Sequence, residues 1–170
     1  MECLNLISRE SFIEKRIGYL GITQLFSEKS DILMMATHRL RLDIESSNHY
    51  IQAVALQTVS CIANADMCKD LGETVAKLIG KGHSYISKKA CLCGLRIVKK
   101  HPDLIDMYSE RLIRVLGEKN HGLLLSAIAL AERIMKQEPS KRKEFAKFVP
   151  HIVKFFEIFR FLGIFFLGEN

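Results

Sequence analysis

The sequence has 170 residues, with 25 lysines and arginines against 19 aspartates and glutamates, so its formal net charge is +6. Hydrophobic residues make up 48% of the chain, and only three residues are proline. This composition excludes a disordered or low-complexity chain, because enough apolar side chains are present to form a core. No apolar stretch reaches the roughly 20 residues of a membrane-spanning helix, and the N-terminus lacks a secretory signal pattern. We therefore expect a cytosolic protein.

Apolar residues recur at helical spacing along most of the chain, which predicts an all-α protein. The clearest example starts at Asp103, with Pro102 suited to the first turn and Gly117 suited to the end of the helix. The predicted helices are, in chain order, residues 14–26, 32–44, 50–63, 67–79, 85–100, 103–116 and 123–137, and a last run from Ser140. Short polar breaks separate them, as is typical of packed helix pairs.

The helix pairs repeat. His49, His83 and His121 each precede a new pair, 34 and 38 residues apart, and Ala55, Cys91 and Ala127 lie at similar places inside the helices that follow. A two-helix repeat of this size is typical of an α-solenoid of HEAT or armadillo type, here with about four repeats. A compact helical bundle is the alternative.

Two glycines lie within one turn of the first predicted helix, at Gly18 and Gly21. Each lowers helix stability by up to about 1 kcal/mol relative to alanine. Their presence predicts that a neighbouring helix approaches too closely for a larger side chain.

Several ordered motifs resemble one family. They are ECLNLI at residues 2–7, KRIGYLG at 15–21, KKACLC at 88–93 and EKNHG at 118–122. Over roughly residues 2–156 the chain resembles the early trunk of the large adaptins, and most of all the gamma type of the clathrin adaptor complex of the trans-Golgi network and endosomes. The resemblance implies that residues 1–156 are an α-solenoid trunk segment within a heterotetramer that coats vesicles on the cytosolic face of a membrane.

The same resemblance implies the partners. They are the beta-type large, mu-type medium and sigma-type small adaptor subunits, a small GTPase of the Arf class, and an anionic membrane surface contacted peripherally on trans-Golgi, endosome and coated-vesicle membranes. The family's large subunits are several times longer, so we expect the clathrin-binding site to lie outside this stretch of sequence.

The C-terminal residues 157–170 form a phenylalanine-rich tail that departs from the family pattern. The stretch from Phe155 to Leu167 is interrupted by Glu157 and Arg160 and is too short to span a bilayer. Three interpretations remain open: a terminal helix that folds back as a cap, an exposed patch for a partner, or an interfacial membrane anchor.

No catalytic motif is present, and we expect a non-enzyme without cofactor or metal. The sequence contains neither a phosphate-binding Gly-rich loop nor a nucleophile elbow, and the histidines lie mostly at helix junctions. We interpret the five cysteines as reduced, buried thiols because their number is odd and their spacing does not fit a zinc site. They are Cys3, Cys61, Cys68, Cys91 and Cys93. A thiol-dependent enzyme is a remote alternative.

Two basic clusters are candidate contacts for an acidic partner or anionic lipid headgroups. On one predicted helix, five cations fall within an arc of about 120°; they are Lys88, Lys89, Arg96, Lys99 and Lys100. The second cluster, Lys141, Arg142 and Lys143 with Lys147 nearby, opens the final helical run. Either cluster could instead be an ordinary solvated face. A stand-alone basic repeat protein that binds nucleic acid is the other functional alternative, less expected because the cations are not interleaved with surface aromatic residues.

Overall fold

The computed structural model describes residues 1–30, 32–154 and 157, and within them it contains helices and turns but no β-strand. The α-helices are α1 Glu2–Ser8, α2 Phe12–Leu25, α3 Ile32–Ile44, α4 His49–Ile62, α5 Ala65–Leu78, α6 Ser84–Lys100, α7 Ile105–Leu116, α8 His121–Gln137 and α9 Arg142–Ala146. Short 3-10 turns, Pro102–Leu104 and Pro139–Lys141, precede α7 and α9. Residues 149–154 are also helical. The all-α prediction is confirmed.

The helices stack as four hairpins in two layers. The closest packing within a hairpin joins α1 to α2, α3 to α4, α5 to α6, and α7 to α8. Helices α2, α4, α6 and α8 pack on one another in one layer, and α1, α3, α5 and α7 form the other. This is an α-solenoid in which each hairpin covers the apolar face of the next.

The pairing differs from the sequence prediction by one helix. We expected the first pair to start near residue 14, but α1 is an additional helix at the N-terminus, and α2 is its partner. The histidine junctions therefore lie inside the hairpins, before the second helix of each. The short α1 escaped the prediction because it has no side-chain N-cap and is stabilised chiefly by packing on α2.

Three N-cap side chains set the repeat register. The side chains of Asn48, His83 and Asn120 accept hydrogen bonds from the first backbone N–H groups of α4, α6 and α8. Ala55 and Ala127 lie at the same distance along the chain from their caps. In α6 the residue at that position is Ala90, which is also buried, and not Cys91. The predicted register was wrong by one residue here, because His83 is itself the cap, whereas His49 and His121 follow theirs.

The two helix glycines allow α1 to lie directly on α2. A Cβ atom at Gly18 would lie 2.8 Å from Cγ2 of Ile7 and 2.9 Å from the backbone oxygen of Cys3, and one at Gly21 would lie 2.7 Å from Sγ of Cys3. All three distances are shorter than van der Waals contact. The predicted close helix approach is confirmed, and α1 is the neighbour.

Replacing Gly18 with alanine is expected to lower the free energy of unfolding by about 1–3 kcal/mol, because the new methyl group meets α1 backbone that cannot rotate away. The rate of amide hydrogen exchange should increase more for residues 2–8 than for the other helices. Gly117→Ala is the matched control, since a Cβ atom at Gly117 meets nothing within 4 Å. Equal stability of the two variants would contradict the close approach.

A buried ionic cluster joins the first two hairpins. Asp43 on α3 accepts hydrogen bonds from Lys15 Nζ at 2.8 and 3.0 Å and from the hydroxyl of Tyr19 at 2.6 Å, both on α2. Arg39 Nη2 lies 3.0 Å from the same carboxylate, and Lys15 Nζ also donates to the carbonyl of Ile7 on α1 at 2.7 Å. The KRIGYLG motif thus supplies both the buried cation and the glycines that position α1 and α3 on α2.

Tyr108 of α7 fills the junction with α5 and α6. It is fully buried, and its hydroxyl donates to the carbonyl of Gly72 on α5 at 2.9 Å. A Cβ atom at Gly94 of α6 would lie 2.8 Å from Cε1 of the same ring. Gly94 therefore leaves room for this aromatic ring, and Gly72 supplies the backbone acceptor for its hydroxyl.

Candidate interaction surfaces

A groove of about 530 Å³ crosses α2, α4 and α6 on the layer formed by the even-numbered helices. Its walls include Phe12 and Leu20 of α2, Tyr50 of α4, and Tyr85 of α6. Leu20, Tyr50 and Tyr85 are exposed. Several large apolar side chains on one concave surface are typical of a protein-binding site.

Two cations and an amide flank these aromatic rings. Arg16 and Lys89 both line the groove. Lys89 Nζ donates to Oε1 of Gln57 on α4 at 2.9 Å and lies 5.9 Å from the centre of the Tyr85 ring. The rings of Phe12 and Tyr50 lie 5.8 Å apart. The sequence-based statement that basic residues are not interleaved with surface aromatics is therefore wrong for Lys89.

The five cations predicted on one arc of α6 have different environments. Lys88 and Lys99 are exposed, whereas Lys89 is half-buried in the groove. Arg96 and Lys100 are half-buried because both pair with an acidic residue from another hairpin. The arc exists on the helix, but neighbouring hairpins divide it into exposed and paired cations.

That acidic residue is Glu28, in the loop between α2 and α3. Its Oε2 atom accepts from Arg96 Nη2 at 2.8 Å and lies 2.9 Å from Lys100 Nζ. The hydrogen bond and charge of Lys100, with a contribution from Arg96, lower the pKa of Glu28. Arg96 Nε also donates to the carbonyl of Ala63, the C-cap residue of α4, at 2.7 Å.

The second predicted basic cluster lies at the other end of the solenoid. Lys141 Nζ pairs with Asp106 of α7 at 2.5 Å, and this hydrogen bond raises the pKa of Lys141. Arg142 and Lys143 are exposed on the first turn of α9. Of the predicted trio, Arg142 and Lys143 are thus the members that face solvent, whereas Lys141 pairs with α7.

An apolar cleft of about 500 Å³ lies beside α9. It is lined by Ile128 and Met135 of α8, Phe145 of α9 and Ile152 further along the chain. The phenylalanine-rich tail predicted at residues 157–170 follows this region, but apart from Glu157 it lies outside the described residues.

The cysteines are free thiols with different exposures. Cys68, Cys91 and Cys93 are buried, as predicted, and burial raises the pKa of Cys68 to about 11 and that of Cys91 to about 12. Cys3 is partly buried, and Cys61 is exposed, which corrects the prediction for that residue. Cys61 lies on the last turn of α4, where its Sγ atom accepts from Nε2 of Gln57 at 3.4 Å. The raised pKa values leave the buried thiols protonated and weakly nucleophilic at neutral pH.

We searched the residues that the structure describes for a metal site and for a membrane-spanning helix. No group of three or more His, Cys, Asp or Glu side chains there is placed to hold a metal ion. Within the same residues, no helix combines the length and apolar character needed to cross a membrane.

The rings of His49 and His83 are in contact, with their centres 5.1 Å apart. The Nδ1 atom of His83 accepts a hydrogen bond from the backbone N–H of Tyr85 and so caps α6.

Apart from Lys89, sequence reasoning missed the residues that line the groove, and it also missed Glu28. One signal was available for the groove: Tyr50 and Tyr85 both stand two residues after an N-cap, so the repeat register places them side by side. For Glu28 no local pattern exists, since its partners are distant in sequence.

Stacked helical hairpins that cover one another's apolar faces define a class of protein, the α-solenoid. Residues 1–162 match the family described as the adaptin N terminal region. The chain belongs to this family, which confirms the resemblance drawn from its motifs.

Individual relatives are gamma subunits of one adaptor complex. The chain is 41% identical over 154 residues to AP-1 complex subunit gamma-1 of Mycosarcoma maydis, covering 91% of this chain and 18% of that protein. It is 38% identical over 154 residues to AP-1 complex subunit gamma of Dictyostelium discoideum, covering 91% of this chain and 17% of that protein. This chain thus spans less than a fifth of the length of these relatives.

A chain of a larger assembly has the same fold. A chain in the homology model of the full-length AP-3 complex in an intermediate open conformation superposes with a TM-score of 0.76. The two are 22% identical, and the match covers 88% of this chain and 27% of the other. The α-solenoid prediction is therefore confirmed, and the compact bundle is excluded.

Proposed function

We propose that this chain serves as a trunk segment of a clathrin adaptor large subunit in vesicle-mediated protein transport, where it holds partner subunits and catalyses no reaction. Family membership and the gamma-subunit relatives support this role. The proposed setting is coat assembly on the cytosolic face of trans-Golgi and endosomal membranes, with beta-type, mu-type and sigma-type subunits and an Arf-class GTPase as partners.

The groove across α2, α4 and α6 carries this proposal. Exposed Leu20, Tyr50 and Tyr85 offer apolar area, and Arg16 and Lys89 offer positive charge at its margin. Aromatic and arginine side chains are the residues that most often dominate protein–protein binding energy. We assign the groove to the small sigma-type subunit, whose contact surface would present apolar side chains flanked by acidic ones.

Co-purification of this chain with a sigma-type subunit tests the assignment. Substituting Leu20→Ser together with Tyr50→Ser should lower the amount of recovered partner by roughly thirtyfold, the effect of losing about 2 kcal/mol at a binding hot spot. Met34→Ser with Met35→Ser is the matched control, because both methionines are exposed on α3 in the other layer. Equal losses in the two double variants, or undiminished binding by the groove variant, would overturn the assignment.

The basic residues support a peripheral contact with anionic membrane. Lys88, Lys99, Arg142 and Lys143 are exposed, and each cation near an anionic surface contributes about 1 kcal/mol of attraction. Lys89, Arg96, Lys100 and Lys141 would add to this attraction only after leaving their present partners. Sedimentation with phosphatidylcholine vesicles, with and without phosphatidylserine, measures the contact.

Nucleic-acid binding is the second candidate, favoured by one observation. Lys89 lies over the ring of Tyr85, and cations beside aromatic rings are typical of single-strand binding sites. Family membership supports the adaptor role over this one. A gel shift with an arbitrary oligonucleotide, together with no co-purification with adaptor subunits, would favour nucleic-acid binding over the adaptor role.

A further inference from the structure

Glu28, Arg96 and Lys100 connect parts of the solenoid that do not otherwise stack. Glu28 follows α2, the second helix of the first hairpin, and its two partners lie 68 residues or more along the chain, on the third hairpin. The helices themselves pack between neighbouring hairpins, α2 on α4 and α4 on α6. This cluster of three charges, which we term the Glu28 latch, joins the loop between α2 and α3 to α6.

Arg96 binds to the intervening hairpin at the same time. Its Nε atom donates to the carbonyl of Ala63 at the end of α4, at 2.7 Å, while its Nη2 atom donates to Glu28, at 2.8 Å. One guanidinium of the third hairpin therefore contacts both the end of the second hairpin and the loop that precedes it. The fork geometry of arginine suits such a double contact.

The side chains of the Glu28 latch are partly exposed to solvent, so their ion pairs can dissociate. The side chains of Glu28, Arg96 and Lys100 are 41%, 23% and 31% exposed, whereas those of Lys15 and Asp43 are 3% and 4% exposed. Partly exposed ion pairs are weak and are weakened further by salt or by competing charges. The buried Lys15–Asp43 pair is therefore expected to stay formed in the folded protein, whereas the partly exposed pairs of Glu28 can dissociate.

We propose that Glu28 is an autoinhibitory anion: it holds the loop between α2 and α3 against the third hairpin and keeps Arg96 and Lys100 from an anionic lipid surface until that surface displaces it. The second part rests on the membrane contact of the proposed function. Lys99, exposed between the paired cations, gives an approaching surface its first contact. Release of Glu28 then adds two cations to the contact and loosens the loop between α2 and α3.

Glu28→Gln tests the latch because the amide keeps the shape and removes the charge. Hydrogen exchange of residues 26–30 should become about two- to fivefold faster, as expected for loss of a partly exposed ion cluster, and high salt should bring the unaltered chain to the same rate. Glu73→Gln is the matched control, since Glu73 pairs with Lys77 at 2.8 Å within α5 alone. Unchanged exchange in the Glu28 variant would overturn the latch.

Vesicle sedimentation tests the masking. Both variants raise the net charge by one, but Glu28→Gln frees two cations, Arg96 and Lys100, whereas Glu73→Gln frees only Lys77. The affinity of Glu28→Gln for phosphatidylserine vesicles should therefore exceed that of Glu73→Gln by about fivefold, the contribution of one further cation. If the unaltered chain binds the vesicles and the two variants bind them with equal affinity, Glu28 does not mask Arg96 and Lys100. If no version binds phosphatidylserine vesicles, the membrane contact and the masking both fall, and the exchange measurement still decides the latch.

Discussion

Replacing Asp43 with alanine is expected to lower the free energy of unfolding by about 3–5 kcal/mol, because it leaves a buried ammonium group without its counter-charge. Lys15 would keep only the carbonyl of Ile7 as an acceptor. Tyr19 would lose its acceptor as well. Burial, with the hydrogen bond to Asp43, raises the pKa of Tyr19 well above its ordinary value, so this hydroxyl remains a donor at neutral pH.

Urea titration followed by far-ultraviolet circular dichroism measures the loss. Glu45→Ala is the matched control, because Glu45 is an exposed carboxylate just beyond the end of α3, where a substitution should change stability by no more than about 0.5 kcal/mol. If the two variants unfold at the same urea concentration, the buried cluster does not stabilise the first two hairpins as we describe.

Replacing Tyr108 with alanine is expected to destabilise the chain by a similar amount, about 3–5 kcal/mol, as for other large aromatic side chains removed from a core. The ring fills space that Gly94 leaves open, so its removal creates a cavity between α6 and α7. Burial also raises the pKa of Tyr108, and the neutral hydroxyl donates to Gly72 of α5.

Tyr108→Phe separates the two contributions. It keeps the ring and removes only the hydrogen bond, so a loss of about 1 kcal/mol is expected. Urea titration of the alanine, phenylalanine and unaltered chains gives both values. A phenylalanine variant as unstable as the alanine variant would show that the hydrogen bond, and not the packing of the ring, stabilises this junction.

The sequence was sufficient to predict most helices because their apolar faces are continuous and their ends carry local signals. Pro102 and Gly117 lie close to the ends of the predicted helix, and the observed 3-10 turn and α7 agree with it to within two residues. The predicted boundaries of α3 agree with the structure. Such features depend on residues within one turn of each other, which a sequence pattern reports directly.

Helix α1 and the hairpin pairing could not be predicted in the same way. Seven residues without a side-chain cap carry little helical signal of their own. Gly18 and Gly21 indicated a close neighbour but did not identify it. Once α1 was missed, each later helix was assigned to the wrong partner, although the solenoid itself was predicted correctly.

The candidate surfaces show the limit of a helical projection. The arc of cations on α6 was predicted from that helix alone, and the acidic side chain that neutralises Arg96 and Lys100 comes from another hairpin. The groove likewise combines Phe12, Tyr50 and Tyr85 from three hairpins. Contacts between distant segments depend on the curvature of the stack, which no local pattern specifies.

The double contact of Arg96 has a consequence for melting. In a linear stack where each hairpin touches only its neighbours, heat is expected to unravel the array piece by piece from its weaker end. Arg96 of α6 binds both the end of α4 and the loop before α3, so this loop and the end of α4 should lose their structure together at low salt. Because the ion pair with Glu28 is partly exposed, added salt should separate these two events.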